Sequence, residues 1–216
     1  MEITWLGHAC FKIVGKVATY EEFTVVTDPF DPQEVGYRMV ETEANVVTVS
    51  HRHYDHNFVD RVRGKPHVFN SPGEHKADSV VFRGIPSYHD EVSGSLRGIN
   101  IVFAFEIEGI SLCHLGDLGT ILETDQIRAI GSPAILFIPV GGIFTIDAER
   151  AQTVVEQLRP KIVIPMHYKT PTLKIKVRSV DEFLERMSIP QKRVTRLVIE
   201  TEDLPETTEI FVLSPP

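Results

Sequence analysis

His51-Arg52-His53-Tyr54-Asp55-His56 places three histidines and an aspartate within six consecutive residues. The β-branched stretch Asn45-Val46-Val47-Thr48-Val49-Ser50 runs into it, and Asn57-Phe58-Val59-Asp60-Arg61-Val62, with helical spacing, runs out of it. The cluster therefore reads as a loop that leaves a strand end and enters a helix. Such loops are where a rigid scaffold presents its chemistry. His51 and His53 stand two apart, so in an extended segment their imidazoles leave on the same side and can chelate one metal. Asp55 and His56 follow where the chain turns, so their heads reach a neighbouring position. Imidazole with carboxylate suits zinc and comparable divalent ions. The competing reading, a solvated polar loop, is poorly matched by so specific a pattern.

Outward from the cluster, strands dominate the first half and alternate with helices in the second. Strands are expected at Ile3–Leu6 and Cys10–Val14 around a Gly7-His8 turn, at Phe23–Thr27, His67–Phe69 and Val80–Ile85, and in the hairpin Ile99–Ile107/Ile110–Leu115. Ser71-Pro72-Gly73-Glu74 reads as a turn. Further strands are expected at Ala134–Val140, Ile162–Ile164, Arg196–Glu200 and Glu209–Leu213, and helices at Leu122–Ile130, Asp147–Leu158 and Val180–Met187. This pattern predicts a mixed α/β (α+β) chain with sheets packed face to face and helices outside. The whole chain, 1–216, reads as one domain.

Asp28, His51, His53, Asp55, His56, His89, Asp117 and His167 each fall just beyond the end of an expected strand. Pro29 stops the strand before it, which leaves Asp28 to accept a hydrogen bond from a ligand imidazole. His8 reads as a structural turn residue. His114 lies in the body of its strand, where a hydrogen bond beneath the site is its expected role; His89, in a polar turn, is the better ligand.

A formal net charge of −8 and a pI near 5.6 argue against a general nucleic-acid binder. The two cysteines, Cys10 and Cys113, lie in apolar runs and read as buried free thiols. Met1–Trp5 lack the basic and apolar regions of a secretory signal. The apolar stretch from Ala134 to Ile146 is too short to span a membrane, so a cytoplasmic protein is expected. From Arg159 to Arg178 there are six basic residues and no acidic one, and Lys174, Lys176 and Arg178 are candidates for binding an anionic substrate.

Thr27-Asp28-Pro29, His-x-His-x-Asp-His at 51–56, His89, Gly116-Asp117 and Pro165-Met166-His167-Tyr168 together resemble, in order, the motifs of the metallo-β-lactamase superfamily. Trp5-Leu6-Gly7-His8-Ala9 and Pro139-Val140-Gly141-Gly142 are similar to its branch containing ascorbate-6-phosphate lactonase and the phospholipase D acting on N-acyl phosphatidylethanolamine. The resemblance implies a four-layer αββα sandwich with two divalent metal ions, zinc first, with manganese or iron as alternatives. His51, His53 and His89 would hold one metal; Asp55, His56 and His167 would hold the other; Asp117 would bridge them. It implies a hydrolase using a metal-bridging hydroxide on a small-molecule lactone, ester or phosphodiester. Asp55 would orient the nucleophile or take its proton, and Tyr168 is a candidate oxyanion donor. A mononuclear iron oxidoreductase and a non-catalytic metal-binding module are the alternatives on the same fold. Homo-oligomerisation stays open.

Overall fold

The computed structural model describes residues 1–38 and 41–215. The chain begins with β1 (Glu2–Gly7), β2 (Cys10–Gly15), β3 (Phe23–Thr27), the one-turn α1 (Pro32–Val35), β4 (Thr42–Glu43) and β5 (Val46–Thr48). After the histidine cluster come β6 (Val62–Arg63), β7 (His67–Phe69), β8 (Gly73–Ala77), β9 (Val80–Tyr88), β10 (Ile99–Ile107) and β11 (Ile110–His114). The last part runs α2 (Thr124–Ile130), β12 (Ile135–Pro139), α3 (Ala148–Leu158), β13 (Ile162–Met166), α4 (Asp181–Met187), β14 (Gln191–Val194), β15 (Leu197–Val198) and β16 (Glu209–Leu213).

Two sheets face each other. One has the order β15-β1-β2-β3-β5-β7, the other β14-β16-β13-β12-β11-β10-β9-β8, and β4 pairs with β6 in a small third sheet. Strand alternation sorts the first sheet into two faces. Ile3, Trp5, Phe11, Ile13, Phe23, Val25 and Val46 point into the main core between the sheets. Leu6, Cys10, Val26 and Val47 point outward, into a second core with Phe30, Val35, Tyr37, Leu173 and Val177. In the other sheet β12 and β13 are buried along their whole length, as expected of parallel strands covered on both faces. The covering helix α3 turns Ala151, Val154, Val155 and Leu158 inward, and its N-cap Asp147 accepts the Arg150 N–H. Phe183 and Leu184 of α4 join the same core. The result is the expected αββα arrangement, with its outer layer thin on the α1 side. Cys10 and Cys113 are free and buried, and burial pushes both thiols up. No helix among the described residues is long and apolar enough to cross a membrane.

Three local expectations are corrected. The segment after the cluster is not a helix: it makes a single 3-10 turn, Val59–Arg61, and then enters β6. The Phe58 N–H is taken by Pro29 O at 2.7 Å and Val62 pairs with Thr42, so the chain is held before a second turn can form. Gly73–Ala77 is a strand, β8, rather than a continuation of the turn; β14 too was missed. Both are edge strands with mostly exposed, polar side chains, which removes the alternation that marks a strand in sequence and protects the edge from pairing.

Candidate metal centre

The topology delivers the chemistry to one rim. β3, β5, β9, β11 and β13 end at Thr27, Thr48, Tyr88, His114 and Met166, and Asp28, His51, His89, Asp117 and His167 follow them within three residues. Three of the rim residues that are not glycine hold positive φ: His8 (54°), Asp28 (40°) and His167 (53°). That conformation costs on the order of 1 kcal/mol each for an L-residue, and it persists where surrounding contacts over-determine it. The Asp28 N–H bonds to Thr48 O at 2.8 Å, and the His167 N–H to His8 O at 3.2 Å.

Asp117 is the centre. Its Oδ2 lies 3.3 Å from the Nε2 of His56, of His89 and of His167, and 3.9 Å from that of His51. Around it the possible ligand atoms fall into three sets, each within 4.8 Å of one another: His51, His53 and His89; His8, Asp55, His56 and His167; and His51, His56 and Asp117. The first two sets separate as two adjoining positions and the third shares Asp117 between them. Of these residues only His53 is exposed. His53, Asp55, His89, Asp117 and His167 line a cavity of about 280 Å³, together with Tyr54, Leu96, Arg97, Phe144 and Ile175.

The imidazoles are held from behind. The Asp28 carboxylate accepts the Ser50 N–H at 2.7 Å on Oδ1, and the Ser50 hydroxyl at 2.6 Å and His56 Nδ1–H at 2.9 Å on Oδ2. Since the Ser50 hydroxyl donates to Asp28, it accepts from His51 Nδ1, 2.9 Å away. Both rings thus spend Nδ1–H on the Asp28–Ser50 pair and turn Nε2 inward, where each Nε2 is buried without a hydrogen-bond partner. Asp117 Oδ1 is likewise buried and unpartnered. Buried polar atoms normally find partners, and inward lone pairs backed by a carboxylate are what a metal-bound histidine needs. The residues present therefore fit divalent metal ions.

The electrostatics agree. Burial lowers His51 to about 3, helped by the neighbouring His56, and burial lowers His89 and His114. Burial would lower His56 as well, but the Asp117 and Asp55 carboxylates outweigh it and raise that histidine well above its ordinary value. Asp117 is opposed by its own burial, yet the histidines at 167 and 56 pull it well below the carboxylate range. A divalent cation bound here would supply the positive charge that these buried carboxylates otherwise draw towards His56.

His8 is the turn residue the sequence suggests, but it also reaches the site. It occupies the β1–β2 turn but is fully buried, with Nε2 3.2 Å from Asp55 Oδ2 and its ring 4.2 Å from that of His167. Burial lowers it to about 4, so the neutral ring donates Nε2–H to Asp55. The signal was available: β1 ends at Gly7, so His8 lies just beyond a strand end like every proposed ligand. Ser50 and Asn100 were also missed. The Asn100 amide accepts the Asp117 N–H at 2.8 Å and donates to Leu115 O at 2.8 Å, fixing the loop that carries Asp117.

His114 has no free lone pair for a metal. Its Nε2–H donates to Ala9 O at 2.9 Å, and its Nδ1 accepts the Gly116 N–H at 3.2 Å. Tyr168 is buried, its ring 5.1 Å from that of Trp5 and its hydroxyl 3.5 Å from Leu213 O; it is absent from the cavity lining and is not placed as an oxyanion donor. Of the basic stretch, Ile175 lines the cavity. Lys174, Lys176 and Arg178 are exposed beside it, Lys174 donating to Gln33 O at 2.5 Å and Arg178 lying 3.4 Å from Glu182.

Comparison with known proteins agrees with this geometry. Residues 2–167 match the family model described as a β-lactamase superfamily domain. A UPF0173 metal-dependent hydrolase from Methanoculleus marisnigri is 30% identical over 210 residues, covering 86% of this chain and 89% of that protein. Among solved structures, a proposed Zn-dependent hydrolase of the metallo-β-lactamase superfamily from Thermotoga maritima is 38% identical, with a TM-score of 0.79 over 99% of both chains. CmlA, a diiron β-hydroxylase from Streptomyces venezuelae, shares the fold alone, at 14% identity and a TM-score of 0.63 over 98% of this chain and 53% of that one. By sequence and by fold, the chain belongs to the metallo-β-lactamase superfamily, among relatives named metal-dependent hydrolases.

Proposed function

We propose that this protein is a binuclear metal-dependent hydrolase of small anionic esters, lactones or phosphodiesters. The observation that carries the proposal is the pair of buried, unpartnered Nε2 atoms of His51 and His56, held by Asp28 and Ser50 and aimed at the carboxylate of Asp117.

His51, His53 and His89 would hold one ion, and Asp55, His56 and His167 the other, with Asp117 shared. Zinc suits this imidazole–carboxylate set best, and manganese or iron are compatible with it. Bound there, such ions lower the pKa of water towards about 7 and polarise a substrate carbonyl or phosphoryl oxygen. The protein's own part is positioning. Asp28 and Ser50 fix two rings; His8 keeps the Asp55 carboxylate turned into the cavity, where it can orient the attacking water and take its proton. Exposed Tyr54 stands at the cavity wall, with a hydroxyl able to reach a substrate oxygen. A cavity of about 280 Å³ is at the small end of ligand sites. Lys174, Lys176 and Arg178, beside it, are proposed to steer anions towards it from a distance. Two buried free thiols suit a reducing compartment, and a cytoplasmic location is part of this reading.

The test is metal-dependent turnover. The protein is stripped with chelator, reloaded separately with zinc, manganese and iron, and assayed on aryl esters, lactones and bis-aryl phosphodiesters. Hydrolysis is expected to disappear on stripping and return with at least one metal. No hydrolysis of any class by any metal form would overturn the proposal; oxygen consumption by the iron form in its place would point to the oxidoreductase alternative.

A further inference from the structure

The loop between β9 and β10 carries His89 at one end and Arg97 near the other, and Asp90 organises what lies between. Asp90 Oδ1 accepts the N–H groups of Val92 at 2.9 Å and Gly94 at 2.8 Å; Oδ2 accepts those of Leu96 at 2.9 Å and Arg97 at 2.8 Å. Burial opposes the charge on this carboxyl, but the four amides outweigh it and hold it below its ordinary value. The loop is closed by His89 N–H to Gly98 O at 3.1 Å and Gly98 N–H to Gly94 O at 2.8 Å. The backbone of Arg97 is therefore fixed by the residue next to His89, and a surface loop that would otherwise be mobile becomes a rigid mount.

The Arg97 side chain is half-buried at the rim. Its guanidinium carbon lies 5.6 Å from the Phe144 ring centroid, and one nitrogen lies 3.5 Å from Ile143 O. No carboxylate among the described residues pairs with it; the nearby Asp55 and Asp117 are engaged by histidines, and Asp90 by backbone amides. Arg97 lines the cavity beside the histidines and also an adjoining groove of about 360 Å³, which is lined as well by Arg52, Asn70, His51 and His53. Arg52, too, is exposed without a carboxylate partner among the described residues. A guanidinium that rests over an aromatic ring, with no carboxylate partner and only one long backbone contact, is suited to recognition of an oxyanion.

We infer that Arg97 reads a second, non-reacting oxyanion of the substrate, a carboxylate or a phosphate separate from the bond that is cleaved, with Arg52 as its outer counterpart in the adjoining groove. The inference rests on the hydrolase reading and deepens it: the substrate carries its negative charge on a tail that leaves the cavity past Arg97. Ile99 and Leu96, both largely exposed at this mouth, would contact the apolar part of that tail.

The experiment uses three p-nitrophenyl esters matched in length, with an uncharged, a carboxylate-ended and a phosphonate-ended acyl chain. Metal-reconstituted wild type, Arg97→Gln, Arg97→Lys and Asp117→Asn are compared, with metal content and melting temperature recorded for each. Wild type is expected to prefer a charged ester. Arg97→Gln should reduce the charged-over-uncharged ratio of kcat/KM by about 10- to 100-fold, mostly through KM, and Arg97→Lys should restore part of it. Asp117→Asn should lower all three esters together and leave the ratio alone. Whichever charged ester loses more identifies carboxylate or phosphate as the group read. An unchanged ratio in Arg97→Gln overturns the inference. If wild type hydrolyses none of these three esters, the hydrolase reading stands or falls on the wider screen of esters, lactones and phosphodiesters, and calorimetric binding of glutarate and methylphosphonate decides the inference: binding by wild type that is lost in Arg97→Gln supports it, and equal affinity or no binding to wild type overturns it.

Discussion

Asp117→Asn is expected to lower kcat/KM by roughly two to three orders of magnitude on any substrate the protein hydrolyses. The change is isosteric, so the fold should survive it, but it removes the charge on which four imidazoles converge. Its Oδ2 stands 3.3 Å from three of their Nε2 atoms. Breaking a buried charge pair costs about 3–5 kcal/mol, and here the loss falls on the residue proposed to be shared by both metal positions. The metal-free protein should change as well. Asp117 is the leading contributor raising His56, so in the variant the pKa of His56 falls. Paired measurements of kcat/KM and bound metal on the same preparation check this. A variant with full metal content and activity within about tenfold of wild type would show that Asp117 is not the shared residue.

Alanine at two glycines should separate the metal positions without touching a ligand. A Cβ at Gly119 would stand 2.3 Å from the backbone nitrogen of Asp90 and 2.4 Å from the carbonyl carbon of His89. A Cβ at Gly141 would stand 2.1 Å from the carbonyl oxygen of His167. In both cases the obstacle is main chain, which cannot swing aside as a flexible side chain would, and close packing passes the displacement on. Overpacking of this kind costs on the order of 1–3 kcal/mol, and a misplacement of about 1 Å can cost a hundredfold in rate. Gly119→Ala is therefore expected to weaken the ion held by His89, and Gly141→Ala the ion held by His167, each with a rate loss of about a hundredfold. Calorimetric zinc titration of the two variants reads the difference. If both lose the same ion, or neither loses any, the assignment of His89 and His167 to different positions is wrong.

Much of this centre was legible in the chain because its motif is local. Residues 51–56 carry four of its side chains, and the strand-end rule located Asp28, His89, Asp117 and His167 across the rest of the sequence. What failed was orientation. Tyr168 follows His167 directly, but His167 holds φ 53°, and at that left-handed residue the chain turns so that the imidazole enters the site while the tyrosine ring packs on Trp5. The basic stretch was legible only in part. Charge counting found the positive run but not which side of it faces the cavity, and beyond His167 the residue that does is Ile175. The arginine that lines the cavity is Arg97, alone in a polar loop, held by Asp90 seven residues before it and resting over Phe144 much further along the chain. His8 was passed over because a Gly-His turn has an adequate local explanation; its contact with Asp55 spans 47 positions. Ser50 and Asn100 act through hydrogen bonds that only the folded chain assembles.

The central claim is that two metal ions share Asp117, and counting them tests it most directly. Chelator-stripped protein is titrated with zinc, and with manganese and iron in parallel, following heat and then elemental content after removal of free metal. The account predicts two ions per chain for wild type and one each for His51→Ala and His167→Ala, lost from different positions. At most one ion per chain at saturating levels of all three metals would contradict it.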